Sequence, residues 1–150
     1  PMSWPRAAVL GMALLASGTQ VGAFELVSVQ EMQASMSARE PLAPKTASVP
    51  GAPRIEILQP QLDAPVVSPT SIQLSFVPSS NSSVRPATFK VLYGRLRIDI
   101  TQRLVSTTPI TAEGLSVKEV SLPKGSHRLL LSIEDSLGRQ GTKSVDFDIN

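Results

Sequence analysis

GSHRLLLSIEDSLGRQG, residues 125–141, is the stretch whose reading decides the fold. Leu129, Leu131 and Ile133 alternate with Arg128, Leu130, Ser132 and Glu134. A strand shows this period of two when one face meets a core and the other is less buried. Pro123, Lys124 and Gly125 lead into the run, and Ser136, Leu137 and Gly138 lead out of it. The stretch reads as the central strand of an antiparallel β-sandwich, with Gly125 and Gly138 in its two turns.

Working outward, the same texture covers residues 54–150. Ile55 and Ile57 share one phase in RIEIL, and Ile72, Leu74 and Phe76 share one in SIQLSFV. PSSNSSVRP, residues 78–86, reads as a polar loop. Phe89, Val91 and Tyr93 align in TFKVLY, and Leu96, Ile98 and Ile100 align in LRIDIT beyond Gly94. In LSVKEVSL, Leu115 and Val117 are out of phase with Val120 and Leu122, which a bulge near Lys118 and Glu119 would reconcile. KSVDFDI closes the run with Val145, Phe147 and Ile149 inward. With residues 125–141 this makes an all-β, seven-stranded antiparallel sandwich of immunoglobulin-like or fibronectin-III-like type.

The residues before 54 have a different composition. One positive charge at Arg6, the ten-residue apolar run AAVLGMALLA and the small residues Val21, Gly22 and Ala23 stand in the order of a secretory signal. Cleavage is expected after Ala23, and the run is too short to span a membrane. The expected start is Met2 or a position upstream. Residues 24–53 read as a disordered or weakly helical segment followed by a Pro-rich linker. Residues 31–39 suit a short helix, with Ser28 as N-cap and Glu31 completing a capping box. Pro41, Pro44, Pro50 and Pro53 lie among small polar residues that favour extended chain. The domain is expected from 54 to 150.

Composition narrows the function. Cysteine is absent, which excludes disulfides, thiolate metal sites and a thiol nucleophile. The formal charge of +2 comes from scattered basic residues, so no nucleic-acid footprint is formed. Trp4 lies in the leader and Tyr93 faces inward, which disfavours sugar binding by stacking.

LPKGSHRLLL, residues 122–131, followed by EDSLGR, residues 134–139, resembles the penultimate strand of bacterial immunoglobulin-like modules. The Pro-rich leader and residues 88–101 resemble a group of uncharacterised exported (periplasmic) proteins of Gram-negative bacteria. The resemblance implies a sandwich fold and export. It leaves function open among adhesion, carbohydrate binding, chaperoning and spacing.

His127 is in phase with the core face and is expected to hydrogen-bond a loop carbonyl rather than serve as base or metal ligand. A lone His without Cys makes a poor metal site. Asp135 is expected to accept backbone N–H groups in the turn to Gly138, and the rival is a calcium ligand alongside Asp63 and Glu134. Met32 and Met36 stand four apart, a thioether pair for Cu(I) or simply a weakly amphipathic face. Arg95, Arg97 and Arg103 form a candidate partner-binding patch, with Arg97 and Asp99 on the outer face of one strand. The bland reading is a charged edge that resists pairing. Taken together, the residues point to a non-catalytic exported module, periplasmic or secreted. It would bind an envelope protein or act as a spacer in the cell envelope, with no cofactor, no nucleic acid and no membrane span after cleavage. The alternative is a periplasmic metal-handling protein for copper or calcium.

Overall fold

The computed structural model describes residue 3 and residues 24–40, 49–106 and 108–150. The expected signal, residues 1–23, thus lies almost wholly outside the described residues, as does most of the Pro-rich linker. In chain order the elements are β1 (Phe24–Glu25), α1 (Val29–Ser37), β2 (Arg54–Gln59), β3 (Thr70–Val77) and β4 (Val84–Tyr93). They continue with β5 (Ile98–Asp99), α2 (Thr101–Val105), β6 (Gly114–Ser121), β7 (Gly125–Asp135) and β8 (Gln140–Ile149). The strands make two four-stranded sheets, in the orders β1-β6-β3-β2 and β5-β4-β7-β8.

Strand β7 lies between β4 and β8, and its inward residues His127, Leu129, Leu131, Ile133 and Asp135 are all buried. Phe89, Val91 and Tyr93 from β4 and Val145 and Ile149 from β8 complete that face. Opposite them, Ile55, Ile72, Leu74, Phe76, Leu115, Val117 and Val120 form the inner face of the other sheet. Alternation along each strand therefore makes one shared core between the sheets. The out-of-phase run in β6 is reconciled as its sequence requires. Ile72 pairs with Val117 and Thr70 with Val120, so β6 carries the additional residue opposite β3. Glu119 takes φ 55° in that bulge, and both apolar pairs turn inward.

Three expectations need correction. Residues 96–101 do not form one strand. Gly94 and Arg97 both have positive φ in a turn closed by Arg97 N–H on the Gly94 carbonyl, and only Ile98–Asp99 pairs with β4. The Asp99 carboxylate then accepts from Thr101 N–H at 3.0 Å and from its hydroxyl at 2.6 Å, turning the chain into α2. Leu96 is consequently exposed, and Arg97 sits in the turn rather than beside Asp99 on a strand face. The polar loop is shorter than expected, because β4 begins at Val84 and carries Pro86 through an irregularity between Arg85 and Lys90. Proline has no N–H to give a ladder and is tolerated where pairing is broken.

The third correction concerns residues 24–40, read as a segment apart from the sandwich. They pack against it. Strand β1 runs parallel to β6, Leu26 N–H donates to the Ser121 carbonyl, and the Leu26 and Val27 side chains are completely buried. The first long strand begins at 54, as expected, but the core begins at 24. The described residues therefore hold eight strands, the seven expected and β1. None of their helices is long and apolar enough to cross a membrane.

Candidate functional site

The site is built where residues 24–40 meet the arginines of the other sheet. The sequence of this segment dictates its shape. Apolar residues at 24, 26 and 27 favour extended chain that buries, and Ser28 stops it. The Ser28 hydroxyl accepts from Glu31 N–H at 3.1 Å while the Glu31 carboxylate accepts from Ser28 N–H at 3.1 Å. This reciprocal cap satisfies two donors that a helix start leaves open, and α1 follows. Val27 before the cap and Met32 four residues past it occupy the positions of a hydrophobic staple.

Two of the three candidate arginines hold this segment. Arg103, leaving α2, donates to the Leu26 carbonyl at 3.0 Å and grips Glu31 with both terminal nitrogens, at 2.7 and 2.8 Å. Planar guanidinium on planar carboxylate is the strong, direction-fixing form of this contact. Arg95 closes the other end. Its guanidinium donates to the Met36 and Ala38 carbonyls, both at 3.1 Å, so it ties down open carbonyls at the end of α1. Its N–H donates to the buried Ser35 hydroxyl at 2.8 Å. A side chain at Gly94 would run into Ser35, and Met32 lies over Gly125, so both glycines let α1 approach. Arg128 bridges Glu40 and Asp146, each at 2.9 Å. Arg97 lies in the turn between these clamps and also makes an interaction of its own.

Arg95 and Arg103 thus cradle residues 24–40 of their own chain rather than lining an open cationic face. Ser35, Glu31 and Glu40 were not legible as partners, because their contacts lie 60, 72 and 88 residues away along the chain. The cap and staple were the only local signals that this segment is ordered.

The clamp has an electrostatic signature. The Arg103 guanidinium, with help from the Ser28 cap, pulls the Glu31 carboxyl down to about 2 from 4.5. A folded value below the unfolded one means the attraction is whole above pH 4.5 and is lost as pH falls toward 2. The protection factors of the α1 amides, taken against the intrinsic exchange rate at each pH, are therefore expected to fall between pH 4.5 and 2, ahead of those of β7. In Glu31→Gln the lowered protection is already present at pH 7, with docking weakened by about 1–2 kcal/mol.

His127 and Asp135 sit at the two ends of β7. His127 is buried; its Nε2–H donates to the Pro123 carbonyl at 2.7 Å, and its Nδ1 accepts from the Tyr93 hydroxyl at 2.7 Å. Burial holds its imidazole below the ordinary range despite the Pro123 bond, and burial pushes the Tyr93 hydroxyl up to about 12. Both ring nitrogens are engaged. At Asp135, one carboxylate oxygen accepts from Leu137 N–H at 3.0 Å and Arg139 N–H at 2.9 Å, and the other accepts from Arg139 Nε at 2.8 Å. Burial alone would raise this carboxyl, but the Arg139 and Leu137 donors outweigh it and bring it lower. Gly138 closes the same turn with φ 77° and a bond to the Asp135 carbonyl. Asp135 thus spends its oxygens on the turn and is not gathered with Asp63 and Glu134. Among the described residues, no three His, Asp or Glu side chains form a metal-holding group.

No family model matches this chain, and no curated protein matches it. Among solved structures, it is similar to the crystal structure of CopC from Methylosinus trichosporium OB3b. The identity is 16% and the TM-score 0.43, covering 65% of this chain and 94% of that chain.

Proposed function

We propose that this chain is a non-catalytic, exported, immunoglobulin-like module that binds polypeptide in the cell envelope. One observation carries the reading. The edge of β6, the pocket for two apolar side chains and the Arg103 and Arg95 clamps together accept a segment that is first extended and then helical. Each element answers a polypeptide feature. The sheet edge offers main-chain hydrogen bonds, the core takes the consecutive side chains Leu26 and Val27, and Arg103 meets an acid five residues beyond the buried Leu26. In the folded chain residues 24–40 fill this cradle. Export, to the periplasm or the exterior, rests on the leader-like residues 1–23.

The test titrates a fluorescent peptide of residues 24–40 into the full chain and into Glu31→Gln, whose own segment is loosened. Saturable binding is expected, at least fivefold tighter to Glu31→Gln than to the parent. Cu(I), Cu(II) and Ca²⁺ should leave the melting temperature unchanged. Failure of the peptide to bind either protein overturns the reading. So does stoichiometric metal binding that raises the melting temperature by several degrees.

A further inference from the structure

We propose that the free edge of β8 between Thr142 and Asp146 receives an extended segment of another protein, one that carries an apolar and an acidic side chain at alternate positions. The edge belongs to the other sheet from β6, so this is a separate site from the cradle and does not depend on it.

Three observations support it. First, β8 is the edge that is left long and regular. Strands β1, β2, β5 and β8 end the two sheets. β1 and β5 have two residues each, and β2 is broken by a register shift between Ile57 and Gln59. Short and bulged edges of this kind are how sheets discourage pairing. β8 instead pairs with β7 from Gln140 to Ile149 with no shift. Second, its outer backbone is used at one end and open beside it. Val66 N–H donates to the Asp148 carbonyl at 2.9 Å, and Asn150 N–H donates to the Val66 carbonyl at 3.0 Å. Main-chain groups alternate sides along a strand, so Thr142, Ser144 and Asp146 also turn theirs away from β7. Among the described residues those groups bond nothing on that side. Val66 thus shows that the edge accepts a strand, and it fills a single rung. Third, an apolar slot between the sheets draws on both facing edges, Ile57 of β2 and Val145 and Phe147 of β8, together with the exposed Leu62. Its free volume of about 20 Å³ suits a methyl-sized group. A strand added beside β8 sends alternate side chains the same way as Val145, toward this slot. Lys143 shares that phase, is exposed and makes no ion pair among the described residues. An inward-phase lysine opposes a purely apolar strand and favours one with an acid opposite it.

The test titrates the peptide Ac-ETVTVTE-NH2, which reads alike in both directions, into the full chain and follows amide hydrogen exchange. In the free protein the amides of Thr142, Ser144 and Asp146 should exchange freely, while those of Lys143 and Val145, turned toward β7, are protected. Saturable binding is expected with a Kd of about 10–500 µM. At saturation, protection of the three open amides should rise at least tenfold and that of Lys143 and Val145 should stay as it was. Ac-EVTTTVE-NH2 has the same composition with its valines out of phase with its glutamates, and should bind at least fivefold more weakly. Ser144→Pro removes the central donor while sparing the β7 ladder, a place where an edge strand tolerates proline, and should lose at least tenfold in affinity. Lys143→Glu, a change at an exposed position, should weaken the probe at least fivefold, and Ac-KTVTVTK-NH2 should restore binding. Absence of binding overturns the proposal, as do open amides already protected in the free protein. So does binding that ignores both Ser144→Pro and Lys143→Glu. The peptide of residues 24–40 reads the cradle on β6, so failure at either site is distinguishable from failure at the other.

Discussion

Asp135→Ala lowers the melting temperature by roughly 10–20 °C, the loss expected when several part-buried donors lose one buried acceptor at once. Asp135 is completely buried at the end of the central strand. Its carboxylate takes two backbone N–H groups and the Arg139 side chain, and Arg139 in turn reaches Ser79, whose hydroxyl donates to the Gly51 carbonyl. Alanine leaves the part-buried N–H groups of Leu137 and Arg139 without their acceptor and removes the counter-charge of a half-buried guanidinium. Asp135→Asn keeps one acceptor oxygen and should lose about half as much. Because burial and the Arg139 bonds leave the carboxyl below its ordinary range, its contribution is whole above the normal aspartate range and fades on acidification. Thermal scans at pH 7 and pH 3 check both statements. The gap between parent and Asp135→Ala should narrow at pH 3, and a gap that widens would contradict the assignment of the carboxylate as the acceptor.

Truncating Leu26 and Val27 together to alanine should cost about 4–6 kcal/mol, read from urea denaturation of the full chain. Both side chains are completely buried. Leucine truncations at such sites run from about 2 to 5 kcal/mol, and valine adds a smaller share. The loss is comparable with the entire stability of a small domain, so the double variant should sit near its unfolding threshold at 37 °C. A segment lying outside the sandwich would lose less than about 0.5 kcal/mol from the same changes. Val29→Ala and Met36→Ala, on exposed positions of α1, provide that baseline within the same segment.

These two sites differ in how far the chain announces them. The Asp135 turn was legible because all of its parts are local: a strand with period two, an acid in phase with the core and a glycine three residues on. The same holds for the β6 bulge, where a slip of phase between Val117 and Val120 forces an additional residue. Strand β5 misled because LRIDIT alternates well enough for a strand. Period two says nothing of the positive φ that Arg97 adopts or of an aspartate that captures the next hydroxyl. The cradle was half legible. Its arginines stood out, but an arginine shows only a need for a partner, never which one. The partners were hidden by their distance along the chain. Residues 24–40 carry too few apolar positions to declare a core contribution, yet Leu26 and Val27 fill two of its most enclosed places.

That separation also sets an order of events. The contacts that seat residues 24–40 join positions 57 to 96 apart along the chain, whereas β7 and β8 meet across a turn of four residues. Closing a large loop before its contacts reward it is slow, so hairpins form early and distant pairings form late. Synthesis runs in the opposite direction, since residues 24–40 leave the ribosome before the strands that receive them exist. The part of this sandwich that appears first is the part that folds last. In that interval Leu26 and Val27 travel uncovered, in search of an edge that has not yet been made.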